Sequence, residues 1–262
     1  MRKLVGMKRR FRLSVVPIAR PGIRMAIIMT NNNLSDKALL DLMTFLSPSF
    51  PVGGYVYSHA IEYAVEDDRI KTEIDLFDWI NAALTQGSGR IDGIFFKLAW
   101  TAVNSKNSNQ IKWVIERSDV MRGTSEMALE SSSQGQAFIA TVSQIWKSSD
   151  LDSIIKMAEN MNRNISYPVA VAIVSAISRI PLRQALLAYF HSFTANLVSA
   201  GIRLVPLGQI SGQRSIESLK PVIEEMIKTI LSGKLEDLGT AAVIIDWASA
   251  KHETQYTRLF RS

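Results

Sequence analysis

From Leu34 onward, apolar residues recur at helical spacing. Leu39, Leu42, Met43 and Leu46 repeat at intervals of three and four, which is the period of one face of an α-helix. Ser35 or Asp36 is placed to cap its start. The run Ser47-Pro48-Ser49-Phe50-Pro51-Val52-Gly53-Gly54 breaks the pattern, and a second short helix is expected from Tyr55 to about Val65. Thr72 followed three residues later by Asp75 reads as a variant capping box. It predicts a helix to about Gln86, closed by Gly87-Ser88-Gly89. Residues 91–104, 108–122 and 124–146 are three further helical stretches, and Asp150 is the expected cap of 151–163. Ser166-Tyr167-Pro168 opens the next helix with proline near its first position. Pro181 opens a long apolar one to about Ala200, with Ile202–Leu207 a turn or its continuation. Residues 215–232 are amphipathic, and Gly239 precedes a last helix at about 240–250.

No run alternates in the manner of a strand. Ile173-Val174 and Val243-Ile244-Ile245 are β-branched, but both lie inside helix-period segments. There is no repeat at the periods typical of solenoids, and the short connections favour antiparallel neighbours. The pattern predicts one compact all-α domain of about eight to ten helices over residues 34–250. A basic extension covers residues 1–33 and a C-terminal tail covers 251–262.

Charge changes the picture at the N-terminus only. Of the formal net charge of +6, residues 1–24 supply Arg2, Lys3, Lys8, Arg9, Arg10, Arg12, Arg20 and Arg24 and no acid. The remainder is therefore slightly acidic, and a nucleic-acid-binding role, which needs a basic face on the folded part, is not expected. The extension reads as disordered, or as the product of a start assigned upstream of Met25 or Met29, with a targeting segment as the other reading. No uninterrupted apolar run reaches the roughly 18 residues of a membrane span, so a soluble protein is expected. Cysteine is absent, which excludes disulfides, thiolate metal sites and cysteine nucleophiles. Only three histidines occur, His59, His191 and His252, far apart in sequence.

Enzyme signatures are weak. Gly87-Ser88-Gly89-Arg90-Ile91-Asp92-Gly93 has a glycine spacing close to a phosphate loop, but a helix precedes it where a dinucleotide fold needs a strand. No P-loop and no nucleophile elbow occur. Ser58 and His59 are adjacent, so on a helix they would diverge by about 100°. The acidic pairs Glu224-Glu225 and Glu236-Asp237 read as solvated faces, so no catalytic residue is assigned.

Three placements are unusual. Tyr55, Tyr57, Ser58, His59 and Glu62 follow the Pro/Gly break, and Asn196, Arg203, Gln209, Gln213 and Arg214 punctuate an apolar stretch. Both sets read either as partner contacts or as polar groups buried and hydrogen-bonded within helix packing. The tail carries Lys251, His252, Glu253, Gln255, Tyr256, Arg258, Leu259, Phe260 and Arg261. An aromatic–aliphatic pair between arginines suits an anchor that orders on a partner, and packing back onto its own domain is the rival reading. On the helix after Pro181, Leu187, Phe190, His191 and Thr194 are the expected face for a two-fold dimer.

Taken together, several ordered blocks resemble the urease accessory protein UreF family. They are Leu46-Ser47-Pro48-Ser49-Phe50-Pro51-Val52-Gly53-Gly54-Tyr55-Val56-Tyr57-Ser58-His59; Tyr167-Pro168-Val169-Ala170; Pro181-Leu182; Asn196-Leu197-Val198-Ser199-Ala200; Arg203 to Gln209; Gly212-Gln213-Arg214; and His252 to Ser262. Two departures are visible. Ala60-Ile61 stands where the family usually has Gly-Leu, a change expected only to repack a helix. Ala250-Lys251 stands where it usually has Met-Arg, which keeps the charge and loses the guanidinium fork. The resemblance implies a non-enzymatic, chaperone-like maturation factor: an all-α homodimer that binds the UreD (UreH) partner. That complex recruits the UreG GTPase for nickel insertion into apo-urease, the metallocentre-assembly step. Nickel and GTP would then belong to the partners, with no cofactor bound tightly here. The alternative is a direct regulator of the partner's GTP hydrolysis, with Arg203 or Arg214 acting in trans.

Overall fold

The computed structural model describes residues 34–262, so the basic extension lies outside the described residues. Eleven α-helices and two 3-10 turns follow one another, with no strand among the described residues. The helices are α1 (Asp36–Phe45), α2 (Ile61–Glu66), α3 (Glu73–Thr85), α4 (Ser88–Asn104), α5 (Ser108–Val120), α6 (Ser125–Ile145), α7 (Ser149–Asn160), α8 (Tyr167–Ile177), α9 (Leu182–Leu204), α10 (Gln209–Ser232) and α11 (Val243–His252). The all-α expectation is met.

Local chemistry sets most boundaries. Ser35 accepts from the Ala38 amide at the start of α1. Thr72 and Asp75 form the reciprocal capping box of α3. Some expectations shift. The cap of α7 is Ser148, not Asp150, because the helix begins two residues earlier and the serine hydroxyl reaches the Leu151 amide. The helix expected from Tyr55 to Val65 is interrupted: a 3-10 turn covers Gly54–Val56, and α2 starts only at Ile61. Between them His59 and Ala60 both adopt left-handed backbone, at φ 55° and 68°, which a helix cannot accommodate.

The core is built around α8. Every residue from Pro168 to Ala176 is buried, as a helix apolar on all sides requires. α4 and α6 pack along it, and α5, α7 and α9 complete the cage. Close approach depends on two glycines. A Cβ at Gly135 of α6 would lie 2.0 Å from the Ile165 carbonyl oxygen, and one at Gly93 of α4 would lie 2.2 Å from Ile230 Cδ1 of α10. α9 is long and apolar enough to cross a membrane, yet half of its most apolar window is buried against its neighbours, so core packing accounts for that composition. α11 rests on α2 and α6, and the ten residues after it fold back over the same helices.

Candidate functional site

The site is a buried polar network that fastens the C-terminal segment to the body. Its floor comes from α2 and the N-terminal half of α6. Glu62, Glu126 and Glu130 are all buried, and Glu126 and Glu130, four residues apart, share one helix face. His252, the last residue of α11, is fully buried between two of them. Its Nδ1 lies 2.7 Å from Glu126 Oε2 and its Nε2 lies 3.0 Å from Glu62 Oε2.

Each carboxylate also holds the tail. Glu62 accepts from the backbone amides of Leu259 and Phe260 at 2.6 and 2.9 Å. Glu126 accepts from Arg258 Nη1 at 2.8 Å, and Glu130 accepts from the Ser262 hydroxyl at 2.7 Å. The Ser262 carbonyl oxygen accepts from the Ser58 amide at 2.8 Å and from the Ser58 hydroxyl. That hydroxyl in turn accepts from the Glu62 amide. Ser58 reaches the tail because the left-handed turn at His59 and Ala60 redirects the chain before α2 begins.

A second histidine lies beneath. His59 Nδ1 is 3.3 Å from Glu130 Oε2, and its Nε2 is 2.6 Å from Ser88 Oγ. Burial alone would lower the His59 pKa, but the Glu130 carboxylate more than offsets this and raises it. Glu130 responds in kind: burial pushes it up, and His59 with the Ser262 hydroxyl pulls it below the usual carboxylate range. A cavity of about 30 Å³ beside this pair is lined by Asp92, Arg122, Gln134, Tyr167 and Tyr189 among others. Arg122 Nη1 pairs with Asp92 at 2.6 Å, and Asp92 accepts from the Tyr189 hydroxyl at 2.9 Å. Burial raises the Tyr189 phenol well above its ordinary pKa, with the Asp92 charge adding to it.

Arg203 of α9 joins the remaining pieces. Its guanidinium carbon lies 3.6 Å from the Tyr55 ring centre and 4.4 Å from that of Phe260. It also donates to the Tyr55 carbonyl oxygen at 3.0 Å. Asn196, two turns earlier on the same helix, donates to the Gly54 carbonyl oxygen at 3.0 Å. Thus Tyr55, Ser58, His59, Glu62, Asn196 and Arg203 converge with the tail, and Tyr57 is buried near them. Gln209 and Gln213 are exposed at the start of α10, and Arg214 pairs instead with Glu73 of α3 at 3.1 Å, so these three lie apart from the network.

The tail is not a free anchor. His252, Phe260 and Ser262 are buried in the chain's own fold. Gln255 donates to Glu66 and Glu253 accepts from Ser125. Tyr256 and Leu259 remain outside, at 102% and 68% exposure, and Lys251, Arg258 and Arg261 are also exposed. The expected dimer face is corrected as well. Phe190 and Thr194 are fully buried, because they sit on the side of α9 turned to the core. Leu187 is half-buried and His191 exposed. Beside them α1, which packs on α9, exposes Leu39, Leu40 and Met43.

Sequence reasoning missed Glu126, Glu130, Asp92 and Arg122. The available signal was Glu126, Glu130 and Gln134 at four-residue spacing, a polar stripe in line with Phe138 on a helix that must also bury a face. The network carries paired proton-binding groups but no bound-ion geometry: among the described residues no group of three or more histidine, aspartate or glutamate side chains is arranged to hold a metal ion.

Comparison with known proteins places this architecture. The family model described as UreF matches residues 70–220. A urease accessory protein UreF of Rhodopseudomonas palustris (strain HaA2) is 42% identical over 225 residues, covering 86% of this chain and 94% of that protein. The protein of the same description from Bradyrhizobium sp. (strain BTAi1 / ATCC BAA-1182) is 42% identical over 229 residues, 87% and 94% of the two chains. That of Granulibacter bethesdensis is 38% identical over 231 residues, 88% and 97%.

Proposed function

The chain belongs to the UreF family, and on that premise we propose that it is a non-enzymatic urease maturation factor acting in the cytoplasm. In this reading it is an adaptor that joins the UreD (UreH) partner and recruits the UreG GTPase, so that nickel is inserted into apo-urease. Nickel and GTP are assigned to those partners, and the chain itself works as a homodimer.

One observation carries the adaptor reading. Tyr55, Val56, Tyr256 and Leu259 are exposed apolar residues on two segments remote in sequence. The Arg261 amide donates to the Val56 carbonyl oxygen at 2.8 Å and the Ser58 amide to that of Ser262, which fixes the two segments side by side. Beneath them lie three buried glutamates and two buried histidines. Such groups are costly to bury unless paired, and here each glutamate holds backbone or side chain of the tail while each histidine pairs with one or two of the glutamates. An apolar surface held rigid in advance binds with less ordering cost, which suits a docking face for a protein partner.

The test uses residues that stand in solvent. Leu259→Asp should keep the melting temperature, since exposed substitutions usually change stability by less than about 0.5 kcal/mol. It should abolish co-purification with UreD (UreH) and leave urease nickel-poor. Co-purification of Leu259→Asp at the wild-type level would remove this surface from the interface.

A further inference from the structure

A neutral imidazole has one donor nitrogen and one acceptor nitrogen, whereas an ionised carboxylate only accepts. His252 faces a carboxylate oxygen with each nitrogen, at 2.7 and 3.0 Å, and the ring is fully buried. With both carboxylates ionised, both contacts are hydrogen bonds only if both nitrogens carry protons. With one proton removed, a buried lone pair faces a buried carboxylate, which costs the full penalty of an unsatisfied charged group. The two carboxylates concerned also grip the tail: Glu62 through the amides of Leu259 and Phe260, and Glu126 through Arg258.

We propose that His252 is a proton-dependent latch. As an imidazolium it bridges Glu62 of α2 and Glu126 of α6 and holds residues 253–262 in place. Loss of its proton frees that segment and dissolves the surface formed by Tyr55, Val56, Tyr256 and Leu259. The consequence for partner docking rests on the adaptor reading above; the latch itself does not. Around the ring, α2 contributes Glu62, α6 contributes Glu126, and the tail contributes Arg258. Glu66 is engaged by Gln255 and Glu253 by Ser125, while Asp246 lies nearly two turns back on α11. The other titrating pair at the tail is His59 with Glu130, which holds Ser262. The raised pKa of His59 means that its contribution is complete at acidic pH and is lost as pH rises through that value. It therefore acts in the same direction as the latch and has to be separated from it by mutation.

Glu126→Gln makes the separation. A glutamine amide donates to the unprotonated Nδ1 while Nε2–H still donates to Glu62, and the amide oxygen still accepts from Arg258. The bridge is then satisfied without a charge, and His59 with Glu130 is untouched. Amide hydrogen exchange of the full chain is measured from pH 6 to pH 9, corrected for base-catalysed intrinsic exchange. In the wild type, protection of residues 253–262 should fall with rising pH, by up to about tenfold per pH unit, the slope of a one-proton linkage, while α8 keeps its protection. In Glu126→Gln the fall should shrink to what the untouched His59–Glu130 pair contributes through Ser262. In His252→Gln it should exchange fast at every pH. Tail protection that is flat in the wild type, that falls equally in Glu126→Gln, that survives in His252→Gln, or that is lost together with α8 overturns the latch. Because exchange is read on the chain alone, failure here leaves the Leu259→Asp docking test standing, and the reverse holds too.

Discussion

At the scale of single residues, the chain bends where the side chains offer no reason for it. His59 and Ala60 are consecutive non-glycine residues in the left-handed region, where an L-residue pays roughly 1–2 kcal/mol. The turn is held because Ser58 is tied to the tail and His59 to Glu130 and Ser88. The change at Ala60 relative to the family's usual glycine therefore loads a turn; it does not repack a helix. Glycine at this position would relieve the backbone, but it would lose a buried methyl worth about 0.8 kcal/mol and add unfolded-chain entropy of about 0.5–1 kcal/mol. These terms oppose one another, so Ala60→Gly should leave stability within about 1 kcal/mol of the parent. Ala60→Val adds a β-branched side chain where φ is positive and space is absent, and should cost more than about 2 kcal/mol. Urea denaturation of both variants checks this, and equal midpoints would mean the turn relaxes freely.

At the scale of elements, legibility follows where each signal resides. The α3 capping box was readable because both partners lie within four residues, and α8 was readable because a proline start and an apolar run need no tertiary context. The start of α10 was not: Gln209–Arg214 is polar and glycine-bearing, and it becomes helical only where Gly212 and Ser215 are buried against neighbouring helices. Glu126 and Glu130 stayed hidden for the converse reason, since a glutamate that faces solvent and one that faces a buried histidine look alike in one dimension. The glycines that permit close helix contact separate in the same way. An alanine at Gly135 would drive its Cβ into backbone at Ile165, which cannot rotate away, whereas at Gly93 it meets the end of the Ile230 side chain. Gly135→Ala should therefore cost at least the 1–3 kcal/mol typical of overpacking, and Gly93→Ala should cost less as Ile230 changes rotamer. Thermal melts that rank them in the opposite order would show that α6 yields more easily than α10.

For the molecule as a whole, the outer face of α1 and α9 is the least explained apolar surface. The helical period of α9 blurred its facing, because apolar residues occur on most of its circumference and only tertiary packing decides which are spent on the core. Phe190 and Thr194 are spent there, which leaves Leu187 and His191, and α1 adds Leu39, Leu40 and Met43. A two-fold interface presents each of these twice. Burying one leucine side chain contributes roughly 1.5–3 kcal/mol, so an aspartate in its place removes about 3–6 kcal/mol per dimer, or some two to four orders of magnitude in dissociation constant. Leu187→Asp on α9 and Leu40→Asp on α1 should each give a folded monomer by sedimentation at micromolar concentration, with helical circular dichroism unchanged. Dissociation by Leu187→Asp alone would confine the interface to α9. A dimer that survives both substitutions would move self-association to another face and leave the α1 surface to a different partner.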